Sequence, residues 1–223
     1  MKVMKSKLKF ELNQVVLLML LIPLLTVQSC REEQPDPFED NIYLISSELE
    51  MVRTKDNIIN VLTLASTQYQ AAAELAADVI SGVNVYSVTY NTEFQGEPVV
   101  ASGLICAPTS PGTYPILSFQ TGTNPLHSAA PTADPQNLGF QMIEYVASAG
   151  YVVLLPDYLG FGASSSMVHP YLHKESTVQS VVDMLRAVAE FDEDVAKDIT
   201  VTTDCYPLGY SQGGWATMAL LRA

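Results

Sequence analysis

The residues around 205–221 most tightly constrain what this chain can fold into. An apolar stretch, Cys205 to Leu208, runs directly into Gly209-Tyr210-Ser211-Gln212-Gly213-Gly214, and a helical segment, Trp215 to Leu221, follows at once. A strand that enters a helix with no loop between them must pass through a turn too tight for ordinary side chains. Gly209 and Gly213 leave room for that turn, and Gly214 is expected to let the helix close against the strand. Ser211 is predicted to sit at positive φ with its hydroxyl thrust outward, the form of a nucleophile elbow. Gln212 then opens the helix, which places its N–H and the positive end of the helix dipole where an oxyanion would develop.

The pattern upstream supplies the strands and helices such a turn needs. From Thr54 to about Ile80, apolar residues recur at helical spacing, with Ser66-Thr67 as a point where the helix divides in two. Val83–Tyr90 and Val99–Cys106, joined around Gln95-Gly96, read as a β-hairpin. Pro115–Phe119 is a short apolar strand, and Gln136–Ala149 a helix stopped by Gly150. Tyr151–Leu155 is the continuous apolar run of a strand buried on both faces. Ser176 to Gln179 has the form of a capping box, opening a helix whose inner face is Val178, Val181, Val182, Leu185 and Val188. Pro207 fits poorly in a central strand, because it cannot donate to the ladder. A hairpin followed by alternating strands and helices gives an α/β fold with a mostly parallel sheet, and ligands of such sheets bind at the carboxyl ends of the strands.

The N-terminus belongs to targeting rather than to the fold. Lys2, Lys5, Lys7 and Lys9 precede the apolar run Val15–Leu25, which suits a secretory signal and is shorter than the ~20 residues of a membrane-spanning helix. Val27-Gln28-Ser29-Cys30 resembles a bacterial lipobox, making residues 1–29 a lipoprotein signal peptide and Cys30 the lipidated first residue of the mature chain. Arg31-Glu32-Glu33 is similar to the export signal of surface-displayed lipoproteins, which places the protein at the outer membrane. Residues 30–53, with Pro35 and Pro37 among acidic residues, read as a tether ahead of a domain over 54–223. From Cys30 onward 7 Lys and Arg stand against 23 Asp and Glu, a net charge of −16. That balance argues against nucleic acid and leaves a lipid anchor as the route to a membrane. Cys106 and Cys205 are expected on strands three positions apart, about 14 Å at ~4.8 Å per strand, too far for a disulfide. Both are expected as buried thiols.

Taken together, Tyr86–Thr92, Ala101-Ser102-Gly103, Phe119–Thr123, Pro156-Asp157-Tyr158-Leu159-Gly160-Phe161-Gly162 and Gly209–Gly214 resemble the α/β-hydrolases. The likeness is to the secretory lipase and esterase branch found as bacterial lipoproteins. It implies a serine hydrolase acting on a small-molecule or lipid ester through an acyl-enzyme on Ser211, without cofactor. It also implies a second oxyanion donor, the Thr123 N–H in Thr121-Gly122-Thr123, paired with the Gln212 N–H. Asp157 is expected to shape the loop Tyr158–Gly162 rather than serve as the triad acid. His169 and His173 are expected to border the site in binding or packing roles. No histidine–carboxylate grouping has metal-ligand spacing.

The resemblance also implies a triad acid and histidine on later strands. His127, His169 and His173 all precede Ser211, so the chain reads as the N-terminal part of such a domain, incomplete after the elbow helix and inactive alone. The competing enzyme readings are a serine peptidase, for whose usual extra domain residues 31–82 leave no room, and a carbohydrate esterase. A non-catalytic surface lipoprotein is the reading from another class. The lipobox assignment predicts that Cys30→Ala abolishes incorporation of radiolabelled palmitate; unchanged incorporation would remove Cys30 as the anchor.

Overall fold

The computed structural model describes residues 42–194 and 198–223, all within one unit spanning 37–223. Residues 1–29 and the first half of the expected tether, residues 30–41 including Cys30, lie outside the described residues. A six-stranded open sheet runs in the order β1 (Leu44–Arg53), β2 (Val83–Phe94), β3 (Glu97–Pro108), β5 (Val152–Pro156), β4 (Gly112–Gln120), β6 (Ile199–Gly209). The β1, β2 and β3 strands are antiparallel and β3 meets β5 antiparallel, whereas β5, β4 and β6 are parallel. The fold is therefore α/β with the expected N-terminal hairpin, and its described sheet is mixed.

Local chemistry explains most of the elements. Thr54 caps α1 (Lys55–Ala65) by accepting the Asn57 N–H. Ser66 and Thr67 then donate their hydroxyls to the carbonyls of Thr63 and Leu64, at 2.7 and 2.8 Å. Those bonds compete with helix continuation, and the chain restarts as α2 (Gln70–Asp78). The hairpin turns on Gln95 and Gly96, both at positive φ. Following α3 (Leu138–Glu144), a 3-10 stretch to Ala149 ends at Gly150 with φ of 96°. All of β5 is buried, as its uninterrupted apolar run requires.

Helices cover both sheet faces. Ile58, Leu62 and Ala72 pack with Val85, Leu104, Cys106, Val153 and Leu155 on one side. The helix α4 (Lys174–Asp194) packs Met184, Ala187, Val188 and Phe191 against Val88, Ile105 and Leu154 on the other. Successive residues of β3, Leu104 and Ile105, thus serve opposite cores. The buried face of α4 departs in part from the predicted one: Val181 and Val188 are buried and the half-buried Leu185 packs against the core, but Val178 and Val182 are only half-buried. The helix also begins at Lys174, so Ser176–Gln179 does not open it. The Ser176 N–H goes instead to His173 Nδ1 at 3.3 Å, a cap built by histidine.

The largest departure is β1. Residues 44–53, read as the end of a tether, form an edge strand paired along Val83–Tyr90. Their Ser- and Glu-rich sequence hides this, because only one side of the strand packs and its ends are fixed from elsewhere. The Glu190 carboxylate accepts the N–H groups of Ile42, Tyr43 and Leu44, the last at 2.6 Å. At the other end Arg53 meets the fully buried Glu144 at 3.4 Å. Pro207 is accommodated because β6 is an edge among the described strands, paired only with β4, with Pro207 opposite Ser118. Cys106 and Cys205 are free thiols on strands three positions apart; the first is buried and the second only half-buried.

Burial raises the Glu144 carboxyl to about 7, against the lowering effect of Arg53. The folded state therefore holds a proton that the unfolded chain, with a value near 4.5, has already lost. Stability is predicted to fall as pH rises from about 4.5 to about 7 and then to level off. Thermal melts across that range check the slope, and Glu144→Gln should flatten it; an unchanged slope in the variant would assign it to another group.

Candidate active site

The elbow forms where β6 meets α5 (Gln212–Leu220). Ser211 has φ of 54° and ψ of −122° and is exposed, whereas Gln212 behind it is buried. The Gly213 N–H returns to Tyr210 O at 2.9 Å and the Trp215 N–H to Ser211 O at 3.2 Å, closing the first turn of the helix. A Cβ on Gly213 would lie 1.8 Å from the Gln120 carbonyl oxygen, and one on Gly209 would lie 2.4 Å from Gly213 O. Both positions exclude every side chain. Gly214 differs from expectation: a Cβ there meets only Gly209 O at 3.5 Å, an ordinary contact. The close approach of helix to sheet is made at Gly213 and at Gly209, where a Cβ would also lie 2.8 Å from Thr217 Oγ1.

The parallel pairing of β4 with β6 sets Gln120 beside Gly209, so Thr121–Thr123 and Tyr210–Gln212 leave the same end of the sheet. Ser211, Gln212 and Thr123 are thereby gathered at the carboxyl ends of neighbouring strands. Thr121 is buried, and its carbonyl accepts the Tyr158 hydroxyl at 3.0 Å. Thr217 Oγ1, one turn into α5, lies 3.2 Å from the buried Gln120 amide and ties the helix to β4.

Asp157 follows β5 and is almost fully buried. It accepts hydrogen bonds from Ser102 Oγ at 2.5 Å, from the Thr132 N–H at 2.9 Å and from the Thr132 hydroxyl. Burial raises its carboxyl above the usual value in spite of these bonds. Ser102 Oγ in turn accepts the Ala163 N–H at 2.8 Å. Asp157 therefore joins β3, the 130s loop and the loop Tyr158–Gly162. Gly162 is required there, since a Cβ would fall 2.1 Å from Asp157 Oδ2.

The three histidines take different places. His173 caps α4, with its ring edge-on to Phe94. His169 Nδ1 lies 2.6 Å from Leu159 O, and its Nε2 lies 3.0 Å from the Gln212 side-chain nitrogen. His127 stands 5.3 Å from the Phe161 ring. His127 and His169, with Thr123, Asn124, Phe161 and Tyr171, line a cavity of about 580 Å³. Sequence reasoning placed His169 near the site but missed its bond to Gln212 and missed Tyr171, whose hydroxyl lies 3.3 Å from Thr123 Oγ1. The only signal for either was the cluster His169-Pro170-Tyr171. Among the described residues, no group of three or more His, Cys, Asp or Glu is placed to hold a metal, and no helix is long and apolar enough to cross a membrane.

The secretory lipase family profile matches residues 130–222. A solved structure of a rice cell wall degrading esterase from Xanthomonas oryzae is 31% identical, with a TM-score of 0.64, over 80% of this chain and 44% of that one. A candidate hydrolase of Legionella pneumophila is 28% identical, with a TM-score of 0.69, over 81% of this chain and 47% of that one. No curated protein matches the chain. The chain thus spans under half the length of these structures. Its fold is of the α/β-hydrolase type, and its sequence and structure are similar to those of secretory lipases and esterases.

The two adjacent glycines make opposite predictions. Gly213→Ala should cost at least about 2 kcal/mol through overpacking against β4. Gly214→Ala should be neutral, or stabilising by up to about 1 kcal/mol, as expected inside a helix. Urea unfolding midpoints compare the two, and equal losses would mean that the helix does not sit on Gln120.

Proposed function

We propose that this chain carries the nucleophile and oxyanion hole of a secreted serine esterase of the lipase type, transferring an acyl group from an ester to water. The observation that supports this most is Ser211 itself, exposed at φ of 54° at the N-terminus of a helix. Its hydroxyl attacks the ester carbonyl, the N–H groups of Gln212 and Thr123 hold the oxyanion, and the alcohol leaves. Water then attacks the acyl-enzyme and releases the acid.

The proton from Ser211 needs a base, and two described histidines are poor candidates. His169 has both ring nitrogens in hydrogen bonds, and His173 is committed to its helix. We assign the base and its acid partner to residues outside this sequence, as the family resemblance implies. The cavity beside Thr123 combines aromatic and polar walls and is wide enough for a small ester. The substrate is a small-molecule or lipid ester, met outside the cytoplasm by a protein anchored through Cys30. A carbohydrate ester is the second reading, favoured by the 31% identity to a rice cell wall degrading esterase.

Protein expressed from the whole reading frame should react with a fluorophosphonate at Ser211, and Ser211→Ala should abolish that labelling. Persistent labelling would mean another nucleophile, and no labelling in the wild type would favour a non-catalytic lipoprotein. Esterase activity against p-nitrophenyl esters should fall to background in the same variant, a loss of about 10⁶ in turnover. His127→Ala should leave labelling intact; if labelling were lost, the base would lie upstream of the serine.

A further inference from the structure

We propose that the segment His169–Tyr171 is a positioning clamp for both halves of the oxyanion hole, with His169 held as its neutral Nδ1–H tautomer. The inference rests on the serine hydrolase reading above. The hydrogen-bond chemistry fixes the tautomer. A backbone carbonyl can only accept, so the 2.6 Å contact of Nδ1 with Leu159 O places a proton on Nδ1. The Gln212 side-chain nitrogen can only donate, so the 3.0 Å contact makes Nε2 an acceptor with no proton of its own. The imidazole therefore has no nitrogen left to take the serine proton.

The ring has little freedom to turn away. Tyr158 stacks on it with 28° between planes, and Phe161 and Tyr171 meet it edge-on at 5.0 and 5.9 Å. The backbone is pinned as well, since a Cβ on Gly160 would come within 2.5 Å of His169 Cα. The side chain it grips belongs to Gln212, whose own N–H is the oxyanion donor. Holding that side chain restricts the rotation of the first residue of α5. Two residues on, the Tyr171 hydroxyl meets Thr123 Oγ1 at 3.3 Å, and the Tyr171 N–H bonds His169 O at 2.8 Å. One short segment thus touches both donor residues, Gln212 through the imidazole and Thr123 through the phenol. The imidazole nitrogens are engaged by Leu159 O and the Gln212 side chain, and the Tyr171 hydroxyl meets Thr123 Oγ1, so both act as positioning residues. Among the described residues, the titratable side chains against the imidazole are Tyr158 and Tyr171.

Long-range ¹H–¹⁵N correlation on the chain labelled at histidine reads the tautomer directly. The expected result is a pyrrole-type Nδ1 and a pyridine-type Nε2 for His169; a protonated Nε2 overturns the proposal. His169→Phe keeps the ring packing and removes both hydrogen bonds. In protein from the whole reading frame it should lower kcat roughly tenfold with KM unchanged, less than the ~10²–10³ for losing a donor outright. Tyr171→Phe should lower kcat severalfold. Gln212→Met keeps the backbone N–H and His169 while removing the grip, and should match His169→Phe even if that variant folds poorly. Unchanged kcat in His169→Phe and Gln212→Met, with Ser211 still labelled, overturns the clamp and leaves the nucleophile standing. Absence of labelling in the wild type overturns the hydrolase reading itself, and the clamp with it.

Discussion

The rest of the site depends on one steric contact, the backbone of Gly213 against the Gln120 carbonyl. With no Cβ at 213, the first turn of α5 sits directly on the end of β4. Because Gln120 also pairs with Gly209 in the ladder, that contact fixes three things together: the end of β6, the turn and the start of the Thr121–Thr123 loop. The geometry is set by exclusion rather than by attraction, and no side-chain rotation can relax it. The positive φ of Ser211 costs on the order of 1–3 kcal/mol and persists only where the surroundings over-determine it. Gly209, Gly213 and the Thr217–Gln120 contact supply that over-determination.

Two buried carboxyls show how differently the fold treats the same chemistry. Asp157 has both oxygens engaged, by two hydroxyls and one N–H from different elements. It is a fixed hub, and the loop it anchors can hold Tyr158, Gly160 and Gly162 at positive φ beside the elbow. Glu144 has only Arg53, at 3.4 Å, and its Oε1 has no partner among the described residues. One carboxyl therefore stiffens the site, while the other makes the seam between β1 and the 3-10 stretch sensitive to protonation. A buried pair with incomplete hydrogen bonding carries its desolvation cost without full compensation.

What could be read from the sequence was whatever is encoded locally. The hairpin at Gln95-Gly96, the helix break at Ser66-Thr67 and the stop at Gly150 rest on neighbours within a few residues, and the elbow shows in its local Gly-x-Ser-x-Gly pattern although its close fit needs the distant Gln120. The β1 strand was illegible because its partners lie far along the chain, with Glu190 146 residues from Leu44. The face of α4 was misjudged by treating every valine as inward, when Met184 and Phe191 reach the core. Gly213 and Gly214 are the same letter, and only the Gln120 carbonyl distinguishes them. The contacts of His169 were hidden for the same reason, since its two hydrogen-bond partners come from separate segments.

This division between local and distant determinants has a consequence for substrate choice. The reacting groups proposed here stand on strand ends and on the first turn of α5, where packing leaves no latitude. The cavity wall comes instead from the loops around 123–127 and 165–171, where the lining residue Val168 is 88% exposed. Substitutions there change the shape and polarity of the cavity without reaching Gly213, Gln120 or Asp157. The exception is the stretch that includes His169 and Tyr171, which lines the cavity and also contacts Gln212 and Thr123. In the proposed esterase a change at Val168 therefore alters the wall alone, whereas a change at His169 or Tyr171 also alters the contacts to Gln212 and Thr123.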